Sequence, residues 1–178
     1  MEKTKDILFR SSMSYGLLMG LFWAFKYIFF IFSISSPFLS FIYWGLTAFV
    51  PIVLGFFLLH FHLISPYNIT FRRDWALGVL IYFFAALFVS LEHFVFYRYF
   101  APPGFISESL QSAIDVIRDS DLSENVKEAV AAMPAPTPIQ MTLQGIVNNL
   151  IYGILISFPV ALFTYRFKVK IKNNEKKQ

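Results

Sequence analysis

The sequence predicts an all-α integral membrane protein, a bundle of four transmembrane helices, from its composition and from the placement of its apolar residues. Hydrophobic residues make up 57% of the chain and charged residues only 15%. A helix needs about 20 mostly apolar residues to cross the hydrocarbon core of a bilayer. Four runs reach that length, and they cover residues 13–34, 38–62, 75–99 and 139–165. None of them alternates with period two, which disfavours a transmembrane barrel.

The first run, 13–34, follows Lys3, Lys5 and Arg10, as the apolar part of a secretory signal would. It is longer than such an apolar region, and no small-x-small cleavage site follows it. We therefore interpret it as a retained first helix. The chain has no cysteine, which excludes disulfides, cysteine-liganded metals and lipid attachment at a cysteine.

Basic residues flank the predicted helices unevenly. Eleven of the 15 lysines and arginines lie before the first run, between the second and third, or in the tail 166–178. The segments on the other side carry only Arg118 and Lys127. Because cytoplasmic segments are the ones enriched in Lys and Arg, both termini are predicted to be cytoplasmic. A lysine cluster next to a membrane helix typically sets topology and contacts anionic lipid, so we expect the lipid bilayer and no nucleic acid as its partner.

Residues 104–133, between the third and fourth runs, are predicted to form an extracytoplasmic helical hairpin. The segment 100–138 around it carries a net charge of −4, from six acidic and two basic residues. Apolar residues recur at helical spacing in two stripes. The stripes consist of Ile106, Leu110, Ile114 and Ile117, and of Leu122, Val126, Val130 and Met133. The hairpin either caps its own bundle or serves as a lid or a partner-docking surface.

Charged groups at membrane depth are confined to a few positions. Counted from the basic anchors at 1.5 Å per residue, Lys26, Glu92 and Asn149 lie at similar heights, about 24–28 Å. A charge in the hydrocarbon costs about 2.5–3.5 kcal/mol on insertion scales, so we predict an ion pair between Lys26 and Glu92 with Asn149 close by. His93 points about 100° away from Glu92 and is expected to face Tyr27, Tyr43 or the outer headgroups. This intramembrane polar layer either fixes helix order and register or serves binding and conduction. A third alternative is that Lys26 and Glu92 do not pair and each extend to the outer headgroups.

Small residues recur every four positions on two helices, which predicts close helix packing, within the protein or against a second copy. They are Ser12, Gly16, Gly20 and Ala24 on the first helix, and Gly145, Asn149, Gly153 and Ser157 on the fourth. Pro51 and Pro159 lie inside the second and fourth runs and are expected to kink them.

No catalytic or cofactor-binding motif is recognised in the sequence, so we expect a protein that is not an enzyme and binds no cofactor. His60 and His62 are two positions apart on a predicted helix. Their side chains therefore point about 200° apart and cannot share an ion, so no metal site is expected there.

The order of these features resembles a known family. The third helix ends in FYRYFAPPGF (96–105), the hairpin ends in AAMPAPTP (131–138), and the last helix ends in YGILISFPVALFTYRFK (152–168). In this layout the chain is similar to the domain of unknown function 4199 family, small four-helix integral membrane proteins of bacteria. The resemblance implies the bacterial inner membrane, and it supplies no catalytic or binding residues.

The resemblance also implies an association with polyprenol-phosphate sugar transferases. We therefore expect a structural or accessory subunit of an envelope or membrane-associated complex, with a membrane protein, a membrane-associated enzyme or a second copy as partner. The alternative is a small oligomeric transporter or lipid-linked-sugar flippase that uses the polar layer.

Overall fold

A computed structural model of the chain describes residues 2–33, 36–65 and 70–175, with side chains described between residues 6 and 167 of these ranges. Six α-helices and one π-helical turn follow one another there, and those ranges contain no strand. The helices are α1 (Glu2–Ser33), α2 (Pro37–Ile64), α3 (Phe71–Val95), α4 (Phe105–Arg118), α5 (Glu124–Ala131) and α6 (Pro138–Glu175). The π-helical turn, Phe96–Phe100, continues α3 directly.

Four helical segments are long and apolar enough to cross a membrane, which confirms the predicted fold class. They are Asp6–Ser33, Pro37–Ile64, Phe71–Phe100 and Pro138–Phe167. The first and last helices of the chain extend beyond their apolar runs, since α1 begins at Glu2 and α6 continues to Glu175. The first ten residues of the predicted tail 166–178 are thus helical, and its last three residues lie outside the described part of the chain.

Proline occupies two kinds of position in these helices. Pro37 is the first residue of α2, where its missing N–H costs no hydrogen bond. Pro51 and Pro159 lie inside α2 and α6, and both helices continue past them.

The fold divides into two compact units. The first contains α1, α2, α3 as far as Val89, and α6 from Ile146 onwards. Its core is formed by residues that recur every three or four positions, as expected for helices that each turn one face inward. They include Tyr15, Met19 and Trp23 of α1, Leu54, Leu58 and Phe61 of α2, Leu77, Ile81 and Ala85 of α3, and Ala161 of α6.

The outer surface of the first unit is also apolar. Phe41 and Leu63 of α2 and Phe163 of α6 expose 68–84% of their surface. Exposed apolar area on this scale indicates contact with an apolar medium or a partner. It agrees with helices whose solvent is lipid.

Glycines allow close helix contacts inside the first unit. A Cβ added to Gly16 of α1 would collide with Cβ of Phe84, and one added to Gly20 would lie 2.9 Å from the ring of Phe88. On α6, a Cβ at Gly153 would lie 2.6 Å from Cβ of Tyr82. These glycines of α1 and α6 therefore pack against α3 of the same chain.

The second unit, Ser90–Gly145, contains the end of α3, the π-helical turn, α4, α5 and the start of α6. Phe96 is buried, and its ring meets that of Phe105 edge to face at 5.6 Å. Gly104 precedes α4 with φ of 87°, a conformation that residues with a Cβ rarely adopt. Helices α4 and α5 contact each other. Within this unit Gly145 lies beside His93, and a Cβ there would be 3.5 Å from Nδ1.

Candidate functional site

Asp74, in the first turn of α3, is the centre of a buried polar cluster. It is 0% exposed, and the helix that carries it is long enough to cross a membrane. Its Oδ2 lies 3.0 Å from Nε2 of His62 on α2, and it accepts a hydrogen bond of 2.8 Å from Oγ1 of Thr164 on α6. One carboxylate oxygen therefore joins three helices.

The local sequence explains why these groups meet. His62 lies in the last turn of α2 and Asp74 in the first turn of α3, so the short connection between the helices brings them together. The positive end of the α3 dipole favours an anion in its first turn. An ionised carboxylate only accepts hydrogen bonds, so the anionic form of Asp74 pairs with Nε2–H of His62.

Two atoms of this cluster are buried and have no hydrogen-bond partner among the described residues. They are Oδ1 of Asp74 and Nδ1 of His62. The side chain of His62 is only 4% exposed. A buried polar atom without a partner costs about 1–3 kcal/mol. The cluster can therefore hold three helices together, and it retains two positions at which a proton, a water molecule or a small polar ligand could bind.

The order of the groups argues against a catalytic triad. In a triad the histidine lies between the hydroxyl and the carboxylate, so that it can take the hydroxyl proton. Here the carboxylate of Asp74 lies between His62 and Thr164. Thr164 Oγ1 also lies 3.1 Å from the backbone carbonyl of Ala161, so its proton is directed to acceptors other than His62.

His60, two residues before His62, links α2 to α1. The hydroxyl of Tyr15 on α1 forms a hydrogen bond of 2.7 Å with Nδ1 of His60. The ring of Tyr15 also stacks on that of Phe57 at 5.1 Å. The two histidines thus face different helices, as their spacing requires. In the part of the chain that the structure describes, no group of three potential metal ligands comes together.

Trp75 adds a contact between α3 and α6. Its indole Nε1 donates a hydrogen bond of 3.1 Å to the backbone carbonyl of Ile154. Together with the Asp74–Thr164 contact it joins these two helices at two levels, on either side of Pro159.

The predicted polar layer is distributed over both units. Nζ of Lys26 lies 5.0 Å from the ring centre of Tyr43 and 5.9 Å from that of Trp23. Such distances allow cation–π attraction. Asn149 of α6 is half-buried. Both residues belong to the first unit, whereas Glu92 and His93 belong to the second.

Glu92 and His93 are both half-buried near the end of α3. Oε2 of Glu92 is buried and has no hydrogen-bond partner among the described residues. The ring of His93 lies 6.3 Å from that of Tyr97. The Lys26–Glu92 ion pair and the orientation of His93 towards Tyr27 or Tyr43 each involve residues of both units, and they stay predictions.

Asp74 is the residue that sequence reasoning missed. It lies one position before the predicted third run and directly after Arg72 and Arg73, which makes it resemble a solvated residue of the interface. The available signal was its place in the first turn of a membrane helix, close in sequence to a histidine at the end of the preceding one.

Comparison with known families places this geometry in context. The sequence profile described as Protein of unknown function (DUF4199) matches residues 14–166, which is most of the chain. The chain belongs to this family. The DUF4199 match includes all three members of the Asp74 cluster and the residues of the predicted polar layer. A comparison with curated proteins finds no match, and neither does one with solved structures.

Proposed function

We propose that this DUF4199 protein is a non-enzymatic accessory subunit of a membrane-associated complex in the bacterial inner membrane. The observation that carries the proposal is a set of exposed acidic residues between the end of α4 and the middle of α5, which we call the acidic edge. It consists of Asp119, Asp121 and Glu128, all exposed and without a basic partner among the described residues. The nearby acids Asp115 and Glu124 already pair with Arg118 and Lys127.

Charged surfaces of this kind select partners of opposite charge and speed their encounter. The partner that fits is a membrane protein or membrane-associated enzyme with a basic surface outside the cytoplasm. A polyprenol-phosphate glycosyltransferase is the class that the family resemblance favours. The excess of basic residues on one side of the helices supports cytoplasmic termini, with the acidic edge on the opposite side.

The polar contacts of the bundle support a structural role for the membrane part. Asp74, His62, Thr164, Tyr15 and His60 bond one helix of this chain to another. Side chains used in this way fix helix order and register in a membrane.

The test is site-specific photo-crosslinking in native membranes. A photoreactive residue replaces Ser123, beside the acidic edge, and a control replaces the exposed Gln111 on α4. We expect one adduct of defined mass at position 123 and none at 111. The adduct should disappear at high salt and in the triple variant Asp119→Asn, Asp121→Asn, Glu128→Gln. An adduct that persists in the triple variant, or adducts with this chain alone, would contradict the proposal.

A second candidate, a small oligomeric transporter, is favoured by one observation. Glu92 lies in a membrane-length segment, and its buried Oε2 has no hydrogen-bond partner among the described residues. Ionisable groups in such positions often mark a substrate or proton pathway. In proteoliposomes a transporter would show proton or lipid-linked-sugar flux that Glu92→Gln abolishes, whereas an accessory subunit would show none.

A further inference from the structure

Three apolar side chains in and around α5 stay exposed. Leu122, which precedes the helix, Val126, which lies in it, and Met133, which follows it, are 49%, 43% and 55% exposed. Within the helix, at 100° per residue, Val126 lies on the side opposite Glu124 and Glu128, and Val130 on the same side as Val126 is half-buried.

Helix α4 differs from α5 in this respect. Its apolar positions Ile106, Leu110 and Ile117 are half-buried, and Ile114 is buried. The stripe of α4 is thus covered within the protein, whereas three of the four residues of the second stripe stay exposed.

Chain connectivity keeps α5 close to the bilayer. Six residues join Ala131, the end of α5, to Pro138, where the membrane-length part of α6 begins. A fully extended chain spans at most about 3.6 Å per residue, so the seven steps from Ala131 to Pro138 reach no farther than about 25 Å. On the other side only residues 101–104 separate the end of the third membrane segment from α4.

We propose that α5 lies on the membrane surface, with Leu122, Val126 and Met133 inserted at the boundary between headgroups and acyl chains. Interfacial helices bury such a face about 5–10 Å below the headgroup level. The occupant of the face is zwitterionic lipid, because the acidic residues of α5 would repel anionic headgroups. In this orientation Glu124 and Glu128 remain in water.

The inference goes beyond the proposed function and does not depend on it. A lipid-seated α5 presents the acidic edge to the aqueous side whether or not a protein docks there. The crosslinking experiment above and the lipid experiment below can therefore fail separately.

The test uses the absence of native cysteine. Full-length Val126→Cys and Leu122→Cys, and the control Glu128→Cys on the opposite face, are labelled with an environment-sensitive fluorophore in phosphatidylcholine nanodiscs. We expect labels at 122 and 126 to emit at shorter wavelength and to lose most of their fluorescence when brominated lipid is used. The label at 128 should respond to aqueous iodide instead.

Three results would overturn the proposal. Iodide quenching of all three labels would place the apolar face in water. Shielding of the labels at 122 and 126 from both quenchers would indicate contact with protein, such as a second copy. Equal lipid quenching at 128 would contradict the assigned orientation.

Discussion

Nε2 of His62 lies 3.0 Å from Oδ2 of Asp74, so the last turn of one membrane helix bonds to the first turn of the next. The same oxygen accepts a hydrogen bond from the hydroxyl group of Thr164, so the fourth membrane helix is bonded to this pair as well. Packing and hydrogen bonds associate helices in lipid, since apolar contact alone gives little preference for a protein neighbour over an acyl chain. A carboxylate shared by three helices therefore fixes their order more strongly than a further leucine would.

Replacement of Asp74 by Asn should destabilise the bundle. The amide keeps the size of the side chain and one acceptor oxygen, but its NH2 group replaces an oxygen that is buried without a partner, and a buried donor left unpaired costs about 1–3 kcal/mol. Thermal unfolding of the purified protein in detergent should show a lower Tm. Asp6→Asn is the matched control, because Asp6 is exposed on α1. Equal Tm values for the two variants would show that Asp74 does not hold the helices together.

The Asp74–Thr164 contact should give a measurable coupling free energy. Thr164→Val removes the hydroxyl at nearly constant volume and Asp74→Ala removes both acceptor oxygens, so a double-mutant cycle with these two substitutions isolates the pair. Interhelical hydrogen bonds in membranes average about 0.6 kcal/mol and reach about 1.7 kcal/mol. The measurement is the free energy of unfolding in mixed detergent micelles. Additive effects of the two substitutions would indicate that the hydrogen bond contributes nothing to stability.

Gly153→Ala should separate α6 from α3. The added methyl group would lie 2.6 Å from Cβ of Tyr82, an atom fixed to the α3 backbone, and overpacking of this kind costs about 1–3 kcal/mol. Gly45→Ala is the control, because a Cβ there meets nothing within 4 Å. We expect a loss of Tm for the first variant and none for the second. Equal Tm values for the two variants would contradict the close contact between α3 and α6.

The predicted Lys26–Glu92 ion pair is tested by exchange of its charges. Lys26→Gln and Glu92→Gln should each lower expression and stability, because each leaves one charge without its partner in the membrane. The double variant Lys26→Glu, Glu92→Lys should recover both properties. Normal single variants, or no recovery in the exchanged pair, would refute the ion pair. A loss of stability confined to Lys26→Gln would indicate that Lys26 acts through its cation–π contact with Tyr43.

The four membrane helices could be predicted because the bilayer sets their length and polarity, and both quantities are local in sequence. The pattern of the α4 stripe likewise depends only on helical spacing. The Asp74 cluster could not be predicted, since its neighbours are decided by how α2, α3 and α6 pack. His60 and His62 show the boundary between the two cases. Their spacing gives opposite faces, but only the structure shows that the partners are Tyr15 and Asp74.

The exposure of the second apolar stripe, Leu122 to Met133, is another feature that the sequence could not predict. This stripe has the same spacing as that of α4, yet the burial of the two stripes differs. Periodicity identifies an apolar face, whereas the surface that covers it depends on tertiary structure. The π-helical turn at Phe96–Phe100 could not be predicted either, because its sequence FYRYF contains no glycine or proline that would mark an irregular helix.

We propose that lipid surrounds the four long helices, with both termini on the cytoplasmic side and α4–α5 on the other. Accessibility of introduced cysteines to a membrane-impermeant maleimide tests it most directly, because the chain has no cysteine of its own. In intact spheroplasts Ser109→Cys on α4 should be labelled, and a cysteine at position 178 only after the membrane is permeabilised. Labelling of position 178 before permeabilisation, or protection of position 109 until then, would contradict the account.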